Sequence, residues 1–97
     1  MDNKVLIIVV NYNREADTIA CIDSLLDQNH KSFHIGLIDN NSESIENLIS
    51  KFDSDFRISI IKNDVNLGFA KANNKVVTLL DPDLDKFDFI ALINNDA

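Results

Sequence analysis

The chain has 97 residues and a mass of 10.9 kDa, which is enough for one small domain. It is 45% hydrophobic and 26% charged, close to the average of globular domains, so disordered and fibrous proteins are excluded. The net charge of −7 repels phosphate backbones and argues against nucleic acid as a partner. The single cysteine, Cys21, cannot form an internal disulfide, and its amphipathic surroundings predict a buried, inert thiol.

Two features of the sequence bear on cellular location. No apolar run approaches the roughly 20 residues that a transmembrane helix needs. The first four residues lead straight into a β-branched run and lack the small-residue cleavage site of a signal peptide. The sequence therefore predicts a cytoplasmic protein.

Strands and helices are predicted to alternate along the chain. Apolar, β-branched runs predict four strands, over residues 4–10, 33–39, 57–62 and 87–93. Apolar residues at helical spacing predict three helices, over residues 14–28, 45–52 and 68–80, the last ending before Pro82. This alternation is typical of the α/β class, with an open, parallel, doubly wound sheet and helices on both faces.

The helical spacing also predicts which side chains face the core. In the first helix these are Ile19, Ile22 and Leu26, with Cys21 and Leu25 beside them. In the other two they are Ile45, Leu48, Ile49 and Phe52, then Phe69, Ala72, Val76 and Leu80.

Asparagine and aspartate are concentrated directly after each predicted strand. The segments are Asn11-Tyr12-Asn13, Asp39-Asn40-Asn41-Ser42, residues 63–68 and Asn94-Asn95-Asp96. Because open α/β sheets bind ligands outside the carboxyl ends of their strands, a site is predicted there. The glycine-rich signatures of dinucleotide enzymes and P-loop NTPases are absent, and a receiver domain is disfavoured because Asn11 and Asn63 stand where it needs aspartates.

Four motifs together resemble a known family. VVNYNR, LIDNNS, the N-x-GFA-x-ANN stretch at 66–74 and ALINNDA resemble the N-terminal, nucleotide-sugar-binding half of inverting family 2 glycosyltransferases of the GT-A fold, particularly the rhamnosyltransferase-like branch. The resemblance covers essentially the whole chain. It implies that residues 1–97 are the donor-binding part of a transferase domain, apparently truncated, and we predict four parallel strands in the order 3-2-1-4.

The resemblance implies a nucleotide-binding role for one set of residues: Asn11, Tyr12, Asn13, Asp39, Asn41, Asn66, Gly68, Asn74, Asn94 and Asn95. Tyr12 would lie against the base, and Asp39 would accept a hydrogen bond from N3–H of uracil or thymine. Structural alternatives stay open, since Tyr12 could cover the sheet edge and Asp39 could cap the helix near Ile45. Asn40, Asn41 or Ser42 could equally serve as that cap.

The resemblance also implies a metal site at the end of the chain. Asn94-Asn95-Asp96 stands where the family has its D-x-D motif, so Asp96 would bind Mg²⁺ or Mn²⁺ together with the sugar diphosphate. Asn94 replaces the first aspartate and could still hydrogen-bond the ribose or a metal-bound water. The alternative is a polar turn after a buried strand.

The implied reaction moves a sugar from a UDP- or dTDP-sugar to a bacterial surface glycan. No catalytic residue is assigned, because the sequence stops at Ala97 and the family places its base and acceptor site in a later half; His30 and His34 fall elsewhere. Val76 also departs from the pattern, which has a small residue there. The complete enzyme could be peripheral at the inner face of the plasma membrane.

A different class of function stays open. The chain could be a non-catalytic nucleotide-binding module, or a fragment that pairs with a partner through its sheet edge. The isolated chain is expected to be inactive, because the resemblance places the catalytic base in the later half. Because the fourth predicted strand is apolar and lies at such an edge, the chain is also expected to be marginally stable or to self-associate through residues 87–93.

Overall fold

The computed structural model describes residues 4–27, 32–79, 87 and 89–94. In these residues strands and helices alternate, and their bounds lie within two residues of the predicted ones. The elements are β1 (Val5–Asn11), α1 (Glu15–Leu26), β2 (Phe33–Asp39), α2 (Glu46–Phe52), β3 (Ile58–Lys62), α3 (Gly68–Leu79) and β4 (Phe89–Asn94). The predicted α/β class is confirmed.

The four strands form one parallel sheet in the order β3-β2-β1-β4, as predicted. Asn11 lies opposite Asp39, which in turn lies opposite Lys62 on β3. On the other side of β1, Val10 lies opposite Asn94. All four strands therefore end along one line, called here the carboxyl edge.

The helices cover both faces of the sheet. Side chains of β1 alternate between the two faces, with Ile7 and Val9 toward α1 and α2, and Leu6 and Ile8 toward α3. Right-handed crossovers explain this arrangement. The connections through α1 and α2 run from β1 toward β3, whereas the connection through α3 runs in the opposite direction, from β3 to β4, and so lies on the other face. None of the helices described is long and apolar enough to cross a membrane.

Most of the predicted inward-facing helical residues are buried. Fully or nearly fully buried are Ile22, Leu25, Ile45, Leu48, Phe52, Ala72 and Val76, with Ile19, Cys21 and Leu26 partly buried. Burial raises the pKa of the Cys21 thiol, which favours its protonated, unreactive form. The prediction for Ile49 is wrong: it is 40% exposed because the short helix α2 buries only a narrow stripe. The Phe69 side chain and Leu80 lie outside the described residues.

One face of β4 remains exposed. Ile90 and Leu92 are 47% and 55% exposed on the α3 side of the sheet, because α3 packs over β1 and β2. Ala91 and Ile93 pack against the core on the opposite face. Self-association through this strand and inactivity of the isolated chain stay predictions.

A glutamate from α1 caps α2. Glu15 Oε2 accepts hydrogen bonds from the backbone N–H groups of Asn47 at 2.9 Å and Leu48 at 3.1 Å, and Oε1 accepts one from Asn47 Nδ2. The N-cap residue, Ile45, supplies no side-chain bond itself. The alternative in which Asp39 or its neighbours in residues 40–42 cap this helix is therefore wrong.

Loss of this cap should be measurable. We expect Glu15→Ala to lower the free energy of unfolding by about 1–2 kcal/mol, since it leaves two helix N–H groups without their acceptor. Urea denaturation measures the change. Glu43→Ala is the control with the same change of charge, and an equal loss in both variants would refute the capping role.

Candidate functional site

A buried hydrogen-bond network centred on Asp39 joins the ends of β1 and β2. Asp39 is 1% exposed, and its Oδ1 accepts hydrogen bonds from Asn11 Nδ2 at 2.9 Å and Ser42 Oγ at 2.5 Å. Its Oδ2 accepts another from the backbone N–H of Ser42 at 3.0 Å. A carboxylate has about four acceptor positions, and bonds from the described residues fill three of them.

Asn11 is fully buried beneath this network. Its Oδ1 accepts a hydrogen bond from Thr18 Oγ1 at 2.5 Å, while its Nδ2 donates to Asp39 and lies 3.2 Å from Ser42 Oγ. Both polar atoms of the amide are thus engaged by protein groups. In this conformation Asn11 links the end of β1 to Asp39 on β2 and to Thr18 on α1 by hydrogen bonds.

The loop between β1 and α1 presents Tyr12 to solvent. Asn13 adopts a left-handed backbone conformation, with φ of 51°, which asparagine tolerates better than most residues. Its N–H donates to Ser42 Oγ at 2.8 Å, and its side-chain oxygen accepts from the N–H of Glu43 at 2.9 Å. These bonds fix the loop to the β2 side, and Tyr12, 42% exposed, lines an open depression with residues 13–17.

The loop between β3 and α3 forms the next part of the carboxyl edge. Asn66 Oδ1 accepts a hydrogen bond from the N–H of Gly68 at 2.8 Å, forming a tight turn at the start of α3. Gly68 has φ of 77°, and a Cβ atom placed there would meet no other atom within 4 Å. The positive φ angle therefore favours glycine at this position, and the space beside its Cα atom is open.

The structure brings in buried residues that the sequence analysis did not assign to the site. Asn40 and Asn63 are 2% and 1% exposed, and their side chains are hydrogen-bonded to each other at 3.0 Å. Lys75 of α3 donates to Asn63, and Ser42 ties the first two loops together. The sequence could have indicated Asn40, Asn63 and Ser42, because all three belong to the polar segments at the ends of strands. Nothing in the helical pattern indicates that Lys75 contacts the site.

The structure shows no hydrogen bond of the site for the remaining predicted residues, some of which lie outside the part of the chain that it describes. Asn41, with φ of 65°, and Asn74 are exposed, and Asn94 is described by its backbone at the end of β4. Asn95 and Asp96 lie outside the described residues, as does His30. His34 Nε2 lies 2.8 Å from Ser59 Oγ on β3, away from the carboxyl edge.

A metal site at Asp96 therefore stays a prediction. Within residues 4–27, 32–79, 87 and 89–94, no group of three or more His, Cys, Asp or Glu residues is arranged to hold a metal ion. Of the two aspartates at the ends of β2 and β3, Asp39 is buried and already engaged by Asn11 and Ser42, while Asp64 is exposed. At the predicted site, a divalent ion would take its remaining ligands from the substrate or solvent.

Known proteins resemble the chain along most of its length. The family model described as "Glycosyl transferase family 2" matches residues 6–97. An uncharacterized glycosyltransferase of Rickettsia bellii is 38% identical over 90 residues, covering 84% of this chain and 13% of that protein. Another from Haemophilus influenzae is 32% identical over 68 residues, covering 70% of this chain and 22% of that protein. The chain thus spans less than a quarter of either relative.

A solved structure shares the fold. Mannosyltransferase PcManGT from Pyrobaculum calidifontis, in complex with GDP-Man and Mn²⁺, superposes with a TM-score of 0.70 at 15% sequence identity. The match covers 81% of this chain and 25% of that chain. The strand order and the helices on both faces are accordingly those of a GT-A type, Rossmann-like fold.

Proposed function

The chain belongs to glycosyl transferase family 2, and on that premise we propose that its carboxyl edge binds the nucleotide of a sugar donor, a UDP- or dTDP-sugar. The complete enzyme would transfer that sugar to a bacterial surface glycan. One observation supports the location most strongly. An exposed tyrosine, Tyr12, stands on a loop that is fixed to the Asp39 network at the same edge.

The chemistry of the two side chains suits a pyrimidine base. The Tyr12 ring offers a flat apolar surface for stacking, at a small cost in conformational entropy. Uracil and thymine each carry one N3–H donor, and the bonds from the described residues leave one acceptor position of Asp39 to receive it. Because Asp39 is 1% exposed, this contact requires the groups that cover its carboxylate to move when the base binds.

The diphosphate imposes a further requirement. On a chain with net charge −7, a sugar diphosphate is bound more readily with a divalent cation between phosphate and carboxylate. We propose Mg²⁺ or Mn²⁺ for this role, with Asp96 as the protein ligand. When bound, the cation neutralises negative charge on the leaving diphosphate.

Tyrosine fluorescence gives a direct test, because Tyr12 is the only tyrosine and the chain has no tryptophan. We expect UDP or dTDP to quench the emission saturably, since a base stacked on the ring contacts the fluorophore. Tyr12→Ala should weaken binding about tenfold by calorimetry, the scale of one base–aromatic stack. GDP should bind more weakly than either pyrimidine nucleotide.

Phe56 provides the matched control. It is 88% exposed in the turn before β3, at the amino-terminal end of that strand. Phe56→Ala therefore removes an exposed ring at the end of the sheet opposite the proposed site. Nucleotide affinity should not change in this variant. Absence of saturable quenching by any of the three nucleotides would refute the nucleotide site, and tighter binding of GDP would refute the pyrimidine assignment.

A further inference from the structure

A line of buried side-chain hydrogen bonds joins α3 to the ends of β2 and β3. Lys75 Nζ, on α3, donates to Asn63 Oδ1, just beyond the end of β3. Asn63 Nδ2 donates in turn to Asn40 Oδ1, just beyond the end of β2, at 3.0 Å. Asn40 and Asn63 are almost completely buried, so their amides depend on these protein partners.

The line ends on the backbone of the loop that starts α3. Asn40 Oδ1 also accepts from the N–H of Leu67 at 3.4 Å, and Asn40 Nδ2 donates to the carbonyl oxygen of Gly68 at 3.3 Å. The loop thus offers one donor and one acceptor to a single amide. Only one orientation of the Asn40 side chain satisfies both groups.

Lys75 favours the same orientation of Asn40 through Asn63. An ammonium group can only donate, so it requires the oxygen of Asn63 on its side and leaves the NH₂ group facing Asn40. Asn40 must then turn its oxygen toward Asn63, which places its NH₂ group beside the Gly68 carbonyl. Lys75 at one end and the loop backbone at the other therefore favour the same orientations of the two amides.

The charge of Lys75 favours this role over a simple ion pair. Lys75 is half-buried, and among the residues that the structure describes its ammonium forms no salt bridge. Its hydrogen-bond partner is an amide oxygen, although the chain has 16 acidic residues against 9 basic ones. An ammonium group hydrogen-bonded to an amide favours the orientation in which the amide oxygen, and not its NH₂ group, faces the ammonium.

We propose that Lys75 is a positioning residue of the nucleotide site, acting through Asn63 and Asn40 to fix the loop that carries Gly68. The open space above Gly68 lies at the carboxyl edge, where the backbone can approach a ligand closely. The effect on the ligand rests on the proposed function. The effect on the two amides and the loop does not.

The test compares Lys75→Met and Lys75→Gln with wild type by NMR and calorimetry. Met removes the donor at similar length, and Gln offers a donor and an acceptor, so neither fixes the direction of Asn63. We expect the side-chain NH₂ resonances of Asn63 and Asn40 and the N–H resonance of Leu67 to shift or broaden. UDP affinity should fall about tenfold, the scale of one hydrogen bond to a charged group.

Two further variants test whether the effect is specific to a donor-only cation at position 75. Lys75→Arg keeps a group that only donates and should restore the wild-type amide resonances. Lys71→Met makes the same change at an exposed position one turn earlier on α3, and it should alter neither the resonances nor the affinity. Lys75→Gln keeps the test valid if Lys75→Met does not fold.

The results distinguish the positioning role of Lys75, its effect on the ligand and the proposed function itself. Unchanged Asn63 and Asn40 resonances in both neutral variants would overturn the proposal. Shifted resonances with unchanged UDP affinity would overturn its link to the ligand. If wild type binds no nucleotide, the proposed function fails, while the amide resonances still show whether Lys75 orients the loop.

Discussion

Asp39→Ala is expected to lower the free energy of unfolding by about 3 kcal/mol, because it removes the buried acceptor of three hydrogen bonds. The donors left behind, on Asn11 and Ser42, lie in positions where water has little access. For a domain of this size the loss corresponds to a fall in melting temperature of roughly 15 °C. Such a change is a large fraction of the stability of a small domain.

Asp39→Asn should also destabilise the chain, though its volume is unchanged. In the wild type both carboxylate oxygens accept hydrogen bonds, one from two donors and the other from the N–H of Ser42. Either orientation of the new amide places an NH₂ group against at least one of these donors. We expect a loss of about 1–3 kcal/mol, the cost of a buried unsatisfied group.

Thermal and urea denaturation of these variants measure the effect. Asp64→Ala is the matched control, since it removes an exposed aspartate just beyond the end of β3 with the same change of charge. It should change the free energy of unfolding by no more than about 0.5 kcal/mol. Equal losses in Asp39→Ala and Asp64→Ala would show that the buried network does not contribute to stability.

The architecture could be predicted because its signals are local. The run at 4–10 is too apolar for a half-exposed strand, and the alternation of such runs with helical spacing allows few topologies. Ile49 shows the limit of this reasoning. Its spacing places it on the apolar stripe, but only the packed structure shows how much of a seven-residue helix the sheet covers.

The polar contacts of the site could be predicted only in part. Asp39 and Tyr12 were identified because their segments lie at the ends of strands, where ligands bind, and because the family resemblance implies a role for each. Glu15 and Lys75 were not, because their roles depend on partners brought close by the fold: Glu15 caps a helix more than 30 residues later, and Lys75 reaches back to Asn63. Helical periodicity shows which face of a helix is apolar, but not where a long polar side chain ends.

Divalent metal is expected to increase the affinity for UDP by about tenfold or more. Even at the dielectric constant of water, a pair of unit charges 4 Å apart contributes about 1 kcal/mol, and a dication between a carboxylate and a diphosphate forms several such pairs. Chelation of Mn²⁺ or Mg²⁺ with EDTA should reverse the gain, and Asp96→Ala should abolish it. Titration calorimetry with and without metal measures both.

Two controls make this prediction specific to Asp96. Asp88→Ala makes the same change at the residue that precedes β4 in the sequence, and it should keep the full response to metal. Asp39→Asn should weaken UDP binding equally with and without metal, because its proposed contact is to the base. If Asp96→Ala retains the increase in affinity on adding metal, Asp96 is not the metal ligand. If UDP binds equally well to wild type in EDTA, the cation is not needed for nucleotide binding, and the acidic chain accommodates the diphosphate by other contacts.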